Sequence, residues 1–209
     1  MDMMSLRRRI MGVEKTLLPR AYQQVEYLRA TGTQWIDTGI TFGENDFVAS
    51  CQFVLPSYYG GAEYPIMSIW TSQYQYWNCF IRVGNSAIDL YTGGHYILEQ
   101  TINEGEMNNV EVSRTGNEWG LSNNGVSKKW NKAPSLVNNT TFKLFTRGDT
   151  QGKSKIDIYS VVVTISEEPT ANLIPCYRKS DQKPGMYDLV SGEFYTNSGT
   201  GEFVVGADV

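Results

Sequence analysis

The chain has 209 residues, 41% of them hydrophobic and 12% aromatic, with three cysteines, one histidine and a formal net charge of −4. That is enough apolar material for one full core. It leaves too few and too scattered cysteines for a disulfide scaffold or a paired-cysteine zinc site, no imidazole cluster for a metal, and no run of ~20 apolar residues to span a bilayer.

The first segment is unlike the rest. Met3, Leu6, Ile10, Val13 and Leu17 recur at alternating intervals of three and four, the a/d spacing of a short amphipathic helix, and Pro19 ends it. The spacing predicts a helical arm over residues 1–18. Two heptads are too short to stand alone in water, so the arm needs a surface to lie against. It carries Arg7, Arg8, Arg9 and Lys15 against Asp2 and Glu14 on an otherwise acidic chain. It reads either as a docking or self-association peptide or as a helix packed on its own domain with the arginines in solvent. Three arginines without interleaved aromatics form no nucleic-acid motif. Glu14-Lys15 interrupts the apolar core that a cleavable signal needs, so export by that route is not expected.

From Tyr22 onward the pattern becomes short alternating runs broken by turn residues. Strands are expected from Gln34 to Thr38, Asp46 to Val54, Ile66 to Trp70, Trp77 to Val83, Ala87 to Tyr91, Val110 to Arg114, Glu118 to Ser122, Thr141 to Phe145 and Lys155 to Ile165. The last is long and β-branched and is expected to cross the sheet centre, with Ile156 and Ile158 in the core. Gly93-Gly94 breaks one connection, and His95 is expected in the loop there. Asn124-Gly125 reads as a hairpin turn, because a type I′ turn needs positive φ at both central residues. Ser191-Gly192 is expected to close a two-residue hairpin between Leu189-Val190 and Glu193-Phe194-Tyr195. About a dozen short strands without a βαβ rhythm predict one all-β domain over 19–209, built of two packed antiparallel sheets. Cys51, Cys79 and Cys176 fit it as small, reduced core residues.

Two groups of residues say more than periodicity. Leu18-Pro19, Tyr22, Val25-Glu26-Tyr27, Gly32-Thr33-Gln34 and Ile36-Asp37-Thr38-Gly39 stand at one end. At the other stand Lys155 to Tyr159, Leu173-Ile174-Pro175-Cys176, Arg178, Met186-Tyr187-Asp188, Ser191-Gly192, Phe194-Tyr195 and Gly199-Thr200-Gly201. Together they resemble the ends of the concanavalin A-like, laminin G-type jelly-roll modules that recur in bacteriophage structural proteins and bacterial surface proteins. The resemblance implies a concanavalin A-like jelly-roll sandwich with a surface-binding role. Joined to the missing export signal, it implies a non-enzymatic virion protein of head or tail, assembled in the bacterial cytoplasm among other virion proteins. Such a protein is expected to be a homo-oligomer fixed through Met3, Leu6, Arg7, Arg8, Arg9, Ile10, Val13 and Leu17, its far loops meeting glycan. The alternatives are a glycan-binding module of a bacterial surface protein and a glycoside hydrolase. Laminin G-like relatives often hold calcium at the sandwich rim; Asp46, Asp89, Asp149 and Asp181 lie in or near turns, and the sequence does not choose among them.

Glucanases of this fold carry Glu-x-Asp-x-x-Glu or a related pattern on one strand, which places the carboxylates on one face about 5 Å apart. No such triplet occurs here: Glu44-Asn45-Asp46 lacks the third acid, Glu104-Gly105-Glu106 lies in a polar loop, and Asp157 stands between isoleucines. Nucleophile-elbow, Walker and EF-hand patterns are also absent. The chain is therefore expected to be no enzyme and to need no cofactor. Its aromatic middle holds Tyr58, Tyr59, Tyr64, Trp70, Tyr74, Tyr76 and Trp77 with Gln73, Gln75 and Asn78 among them. Such a mixture suits stacking on sugar rings with amides for the hydroxyls, and equally suits a core with one exposed loop. Tyr58, Tyr59, Tyr74, Tyr76 and His95 are the candidate glycan-binding residues.

Overall fold

The computed structural model describes residues 18–56, 63–69, 77–82, 87–92, 95–131, 140–148 and 154–209, with the backbone alone for 95–97. The predicted arm from Met3 to Leu17 lies outside the described residues; Leu18, just after it, is buried. Every regular element among the described residues is a strand, and no described helix is long and apolar enough to cross a membrane. In chain order the strands are β1 Tyr22–Gln24, β2 Leu28–Arg29, β3 Ile36–Thr41, β4 Phe47–Val54, β5 Glu63–Ile69, β6 Trp77–Arg82, β7 Ala87–Thr92, β8 His95–Thr101, β9 Asn108–Thr115, β10 Glu118–Asn123, β11 Val126–Asn131, β12 Thr141–Leu144, β13 Asp157–Ile165, β14 Glu168–Arg178, β15 Lys183–Asp188, β16 Phe194–Thr196 and β17 Val204–Val205. They form two antiparallel sheets. The larger runs β11-β10-β9-β4-β13-β14-β15-β16, with β1 beside β14, β2 beside β13 and β17 beside β2; the smaller runs β3-β12-β5-β6-β7-β8.

Alternation explains the layering. In β4, Phe47, Ala49, Cys51 and Phe53 point into the sandwich while Val48, Ser50, Gln52 and Val54 point out, the period of two that a half-buried strand imposes. As expected, β13 crosses the sheet between β4 and β14 with Ile156 and Ile158 buried, but its inward positions then shift to Val161 and Val163. A bulge makes the shift: Ile158 pairs with Phe53 and Ser160 with Gln52, so Tyr159 has no opposite residue. One extra residue is what re-aims an alternating strand. An aromatic cluster fills one end of the core, where Phe47 stacks on Trp77 at 5.5 Å and meets Phe42 edge-on at 4.6 Å and Trp119 at 5.8 Å. Trp77 is thus a core residue and not a surface aromatic.

The motifs at the two ends of the chain meet in space. The Gln34 amide donates to the Glu202 carbonyl at 2.9 Å, Thr33 Oγ1 donates to the Thr200 carbonyl at 2.8 Å, and Ser198 N donates to the Trp35 carbonyl at 2.8 Å. A Cβ on Gly199 would collide with the Thr33 carbonyl and the Trp35 ring, which is why that position needs glycine. Asp188 holds the second motif together. Its carboxylate accepts from Asn172 N at 2.8 Å, Val190 N at 3.0 Å and Ser191 Oγ at 2.6 Å.

Two turn expectations are corrected here. The last hairpin is not a two-residue turn at Ser191-Gly192: β15 pairs with β16, Asp188 N donates to the Glu193 carbonyl at 2.9 Å, and the loop runs from Leu189 to Gly192. The strand is broken by the satisfied Asp188 side chain, which competes with the ladder for backbone donors. His95 opens β8 opposite Thr92 and is not a loop residue. The Asn124-Gly125 turn is as expected, with φ of 51° and 86°.

Candidate ligand groove at the sandwich rim

The larger sheet's outward face is mostly polar, with serines between exposed Val48 and Val162 and the charged Glu111 and Lys129. One register row reads Val162, Ser50, Glu111, Ser122, Ser127 across β13, β4, β9, β10 and β11; the next reads Thr164, Val48, Ser113, Gly120, Lys129. A Cβ on Gly120 would collide with the Ser113 hydroxyl, so glycine keeps the floor low. At one end a chain of hydrogen bonds fixes the amides. Ser160 Oγ donates to Gln52 Oε1 at 3.2 Å, Gln52 Nε2 to Asn109 Oδ1 at 2.9 Å, and Asn109 Nδ2 to Asn124 Oδ1 at 3.2 Å. Two depressions share this face: one of about 380 Å³ floored by Ser50, Gln52, Asn109, Glu111, Ser122 and Ser160, and one of about 620 Å³ at the rim, beyond Val48 and Thr164. From Asp46 to Gln52 the groove spans about 20 Å along β4.

Three turns build the rim end, tied together by Asp46. Its carboxylate accepts from Gly116 N at 2.7 Å and its carbonyl from Ser166 N at 2.8 Å. The lining includes the exposed carboxylates of Glu44, Asp46 and Glu167 and one guanidinium, that of Arg114. Arg114 sits at the end of β9 on the inward parity, opposite Phe47 and Trp119, and only 7% of it is exposed. Its Nε donates to the Gly116 carbonyl at 2.8 Å, while Nη1 has no partner. Burial pulls its pKa below the ordinary value against the opposing pull of Asp46 and Glu44. Arginine keeps its charge in any such setting, so a buried cation lies behind the rim, with its Nη1 closed off from solvent.

The β13–β14 turn at this rim is under strain. Ser166 and Glu167 have φ of 50° and 68°, a left-handed pair that side-chain-bearing residues rarely adopt. The same sheet solves the same problem elsewhere with Asn124-Gly125.

Of the candidate glycan-binding residues, Tyr58, Tyr59, Tyr74 and Tyr76 lie outside the described residues. Their flanks are described. Residues 70–76 run between Ile69 and Trp77, which pair with each other; Trp77 pairs with Thr92, and Thr92 with His95. Since Trp77 stacks on Phe47, these flanks and the His95 backbone belong to the rim end of the sandwich. At the opposite end Glu63 begins β5. Among the acids considered for calcium, Asp89 is not near a turn: it lies buried in the middle of β7, 2.6 Å from Arg82, with burial raising its pKa. Asp181 is held at about 2 by its hydrogen bond from Arg178, and Asp149 lies outside the described residues. No group of three His, Cys, Asp or Glu among the described residues is placed to hold a metal ion. Sequence reasoning missed Arg114, Ser166 and Glu167 as groove residues. A strand-end arginine carries no motif, and Ser-Glu gives no turn signal.

By sequence, no family model and no curated protein matches the chain. By structure it is similar to a native heptameric SAP-like pentraxin from Limulus polyphemus, with a TM-score of 0.55 and 10% identity over 88% of this chain and 94% of that one. It is similar to the CBM40 of a Ruminococcus gnavus IT-sialidase bound to alpha2,3 sialyllactose, with a TM-score of 0.51 and 11% identity over 75% and 95%. It is also similar to the enzymatically active domain of bacteriophage CBA120 tailspike protein 2, with a TM-score of 0.52 and 12% identity over 75% of this chain but only 30% of that one. At such identities the likeness gives the fold: the chain has a concanavalin A-like, laminin G-like jelly-roll fold.

Proposed function

We propose that the protein is a non-enzymatic, lectin-like attachment module that holds an oligosaccharide along the rim groove. The polar floor of the outward face carries this reading: Ser50, Gln52, Asn109, Ser122 and Ser160 line a depression of about 380 Å³. Its hydroxyls and its amides, fixed by the chain from Ser160 through Gln52 and Asn109 to Asn124, both donate to and accept from sugar hydroxyls. The neighbourhood of Glu111 supports binding over cleavage: its cross-strand neighbours are Ser50 and Ser122, not the second carboxylate that glycosidic cleavage uses.

The setting we assign is a bacteriophage particle, with the segment before Leu18 fixing the module to other virion proteins. The phage-type motifs at both chain ends and the fold likeness to a tailspike domain support it. A printed glycan array tests the binding reading, with the double variant Gln52→Ala, Asn109→Ala alongside. The full chain should give signal, and the double variant should lose it while unfolding cooperatively as before. An array on which the full chain stays dark overturns it, and reducing-sugar release abolished by Glu111→Gln overturns its non-enzymatic part. Immunogold labelling of purified particles tests the setting; label confined to bacterial surfaces would move the module there.

A further inference from the structure

We infer that Tyr159, turned outward by the bulge in β13, is the stacking face of the sugar site, and that the site takes neutral glycans of equatorially substituted rings. The inference rests on the glycan reading above and names its ligand class. At the bulge both Tyr159 and Ser160 come opposite Gln52. Ile158 before them and Val161 after them are buried in the core, and Ser160 Oγ reaches Gln52 on the outward face. One station of the strand therefore offers two outward side chains, a ring beside a hydroxyl, where plain alternation would offer one. On the other side of β13, Asp157 pairs with Arg29 and Ile158 with Leu28. The next step of that register brings Tyr27 opposite Tyr159, and their rings meet at 5.5 Å. Asn109, Gln52, Ser160 with Tyr159, and Tyr27 thus form one row across the strands, about 14 Å long by strand spacing.

The aromatic end of the row is held in place. Arg29 Nε and Nη2 donate to the two oxygens of the buried Asp157 carboxylate at 2.5 and 2.6 Å, and the guanidinium lies 5.0 Å from the centroid of the Tyr27 ring. Tyr27 leans in turn on Tyr159, which stays half-buried and meets no other described ring. Arg29 and Asp157 cancel in charge, so the row is neutral from end to end. Its two kinds of group ask for different parts of a sugar. Amides and hydroxyls bond to ring hydroxyls, and a phenol ring takes an apolar C–H face. In a pyranose with equatorial substituents the hydroxyls lie around the edge and the C–H bonds cover both faces, so neighbouring rings of one chain satisfy both. An axial oxygen on each face breaks that match. A charged sugar finds no opposite charge in the row to replace its water.

Calorimetry on the full chain tests it with a β1,4-linked glucose tetramer, whose ring substituents are equatorial, and an α1,2-linked mannose tetramer, which carries axial oxygens on both faces. The glucose tetramer should bind roughly tenfold tighter, the scale of one good ring contact. Tyr159→Phe keeps the ring and should keep that ratio. Tyr159→Leu packs against Tyr27 without a flat face and should bring the two tetramers within about twofold. In the parent chain, NMR saturation of the tyrosine ring protons should also pass to the C–H protons of the bound glucose tetramer, a readout that needs no variant to fold. Equal affinity for the two tetramers overturns the selectivity and leaves the glycan reading standing, as does binding of neither tetramer while other glycans on the array give signal. A ratio that survives Tyr159→Leu, a ratio lost in Tyr159→Phe, or binding without saturation transfer overturns the stacking role. Binding of neither tetramer together with a dark array overturns the glycan reading and the inference with it.

Discussion

The Ser166-Glu167 turn is the clearest conflict between stability and something else. Each left-handed residue with a side chain costs about 1–2 kcal/mol, while Asn124-Gly125 meets the same geometry with residues suited to it. Replacing the pair by Asn-Gly should raise stability by about 1 kcal/mol, read as a higher urea midpoint at unchanged slope, and should weaken glycan binding. Stabilisation without loss of binding would make the turn an accident of sequence. The cysteines make a separate case. All three are buried and free, and burial pushes the Cys176 thiol from 9.0 to about 12 and the other two upward. The folded chain therefore keeps protons that the unfolded chain releases, so the thiol contribution to stability is complete below pH 9 and is lost as pH rises toward 12. Cys176→Ala should flatten part of that decline in alkaline urea titrations. Reductant should leave the melting temperature unchanged and native thiols should resist alkylation at pH 8, since only thiolate reacts.

At the scale of elements, packing around glycine decides where strands approach. Tyr22 meets Tyr187 and Phe194 at ring distances of 4.8 and 4.9 Å, and Arg178 lies 5.6 Å over Phe194. A Cβ on Gly185 would strike the Phe194 ring and the Tyr195 carbonyl. Gly185→Ala should cost about 2–3 kcal/mol, within the range of overpacking, and lower the urea midpoint; a neutral result would mean that β16 is free to move away. Strands such as β4 and β9 were readable because each has one wet and one dry face, and the period of two follows. The bulge at Tyr159 was not, since a β-branched run looks the same with or without an unpaired residue. The Leu189-to-Gly192 loop was misread because Asp188 spends its carboxylate on the turn. The end motifs gave the fold and not the site for a physical reason: Gly32 to Trp35 and Asn197 to Glu202 bind each other, so their chemistry is consumed inside the protein. The groove uses ordinary serines, amides and acids whose meaning appears only when register sets them side by side.

At the scale of the molecule, Leu18 is buried and the described chain is closed by the latch between Gly32 to Trp35 and Asn197 to Glu202. Tyr22 N donates to the Pro19 carbonyl at 2.9 Å, and Leu18 and Tyr22 help line a depression of about 360 Å³ beside Val209. A chain shortened to begin at Leu18 should therefore fold with little loss of stability. What it should lose is association. A single exposed groove bonding through hydroxyls and screened charges binds weakly, and attachment to a surface needs several grooves held together; linking sites raises avidity by about 10²–10⁴ without any new contact. The heptad segment before Leu18, too short to be stable alone, is the part of the sequence suited to supply that link. Light scattering should show an oligomer for the full chain and a monomer for the shortened one. Retention on a glycan-coated surface should fall about a hundredfold while single-site affinity by calorimetry stays the same. An oligomer that survives the truncation would place the self-association surface on the sandwich. A monomer in both cases would mean that the arm binds a different protein, and the particle itself would then set the spacing of the grooves.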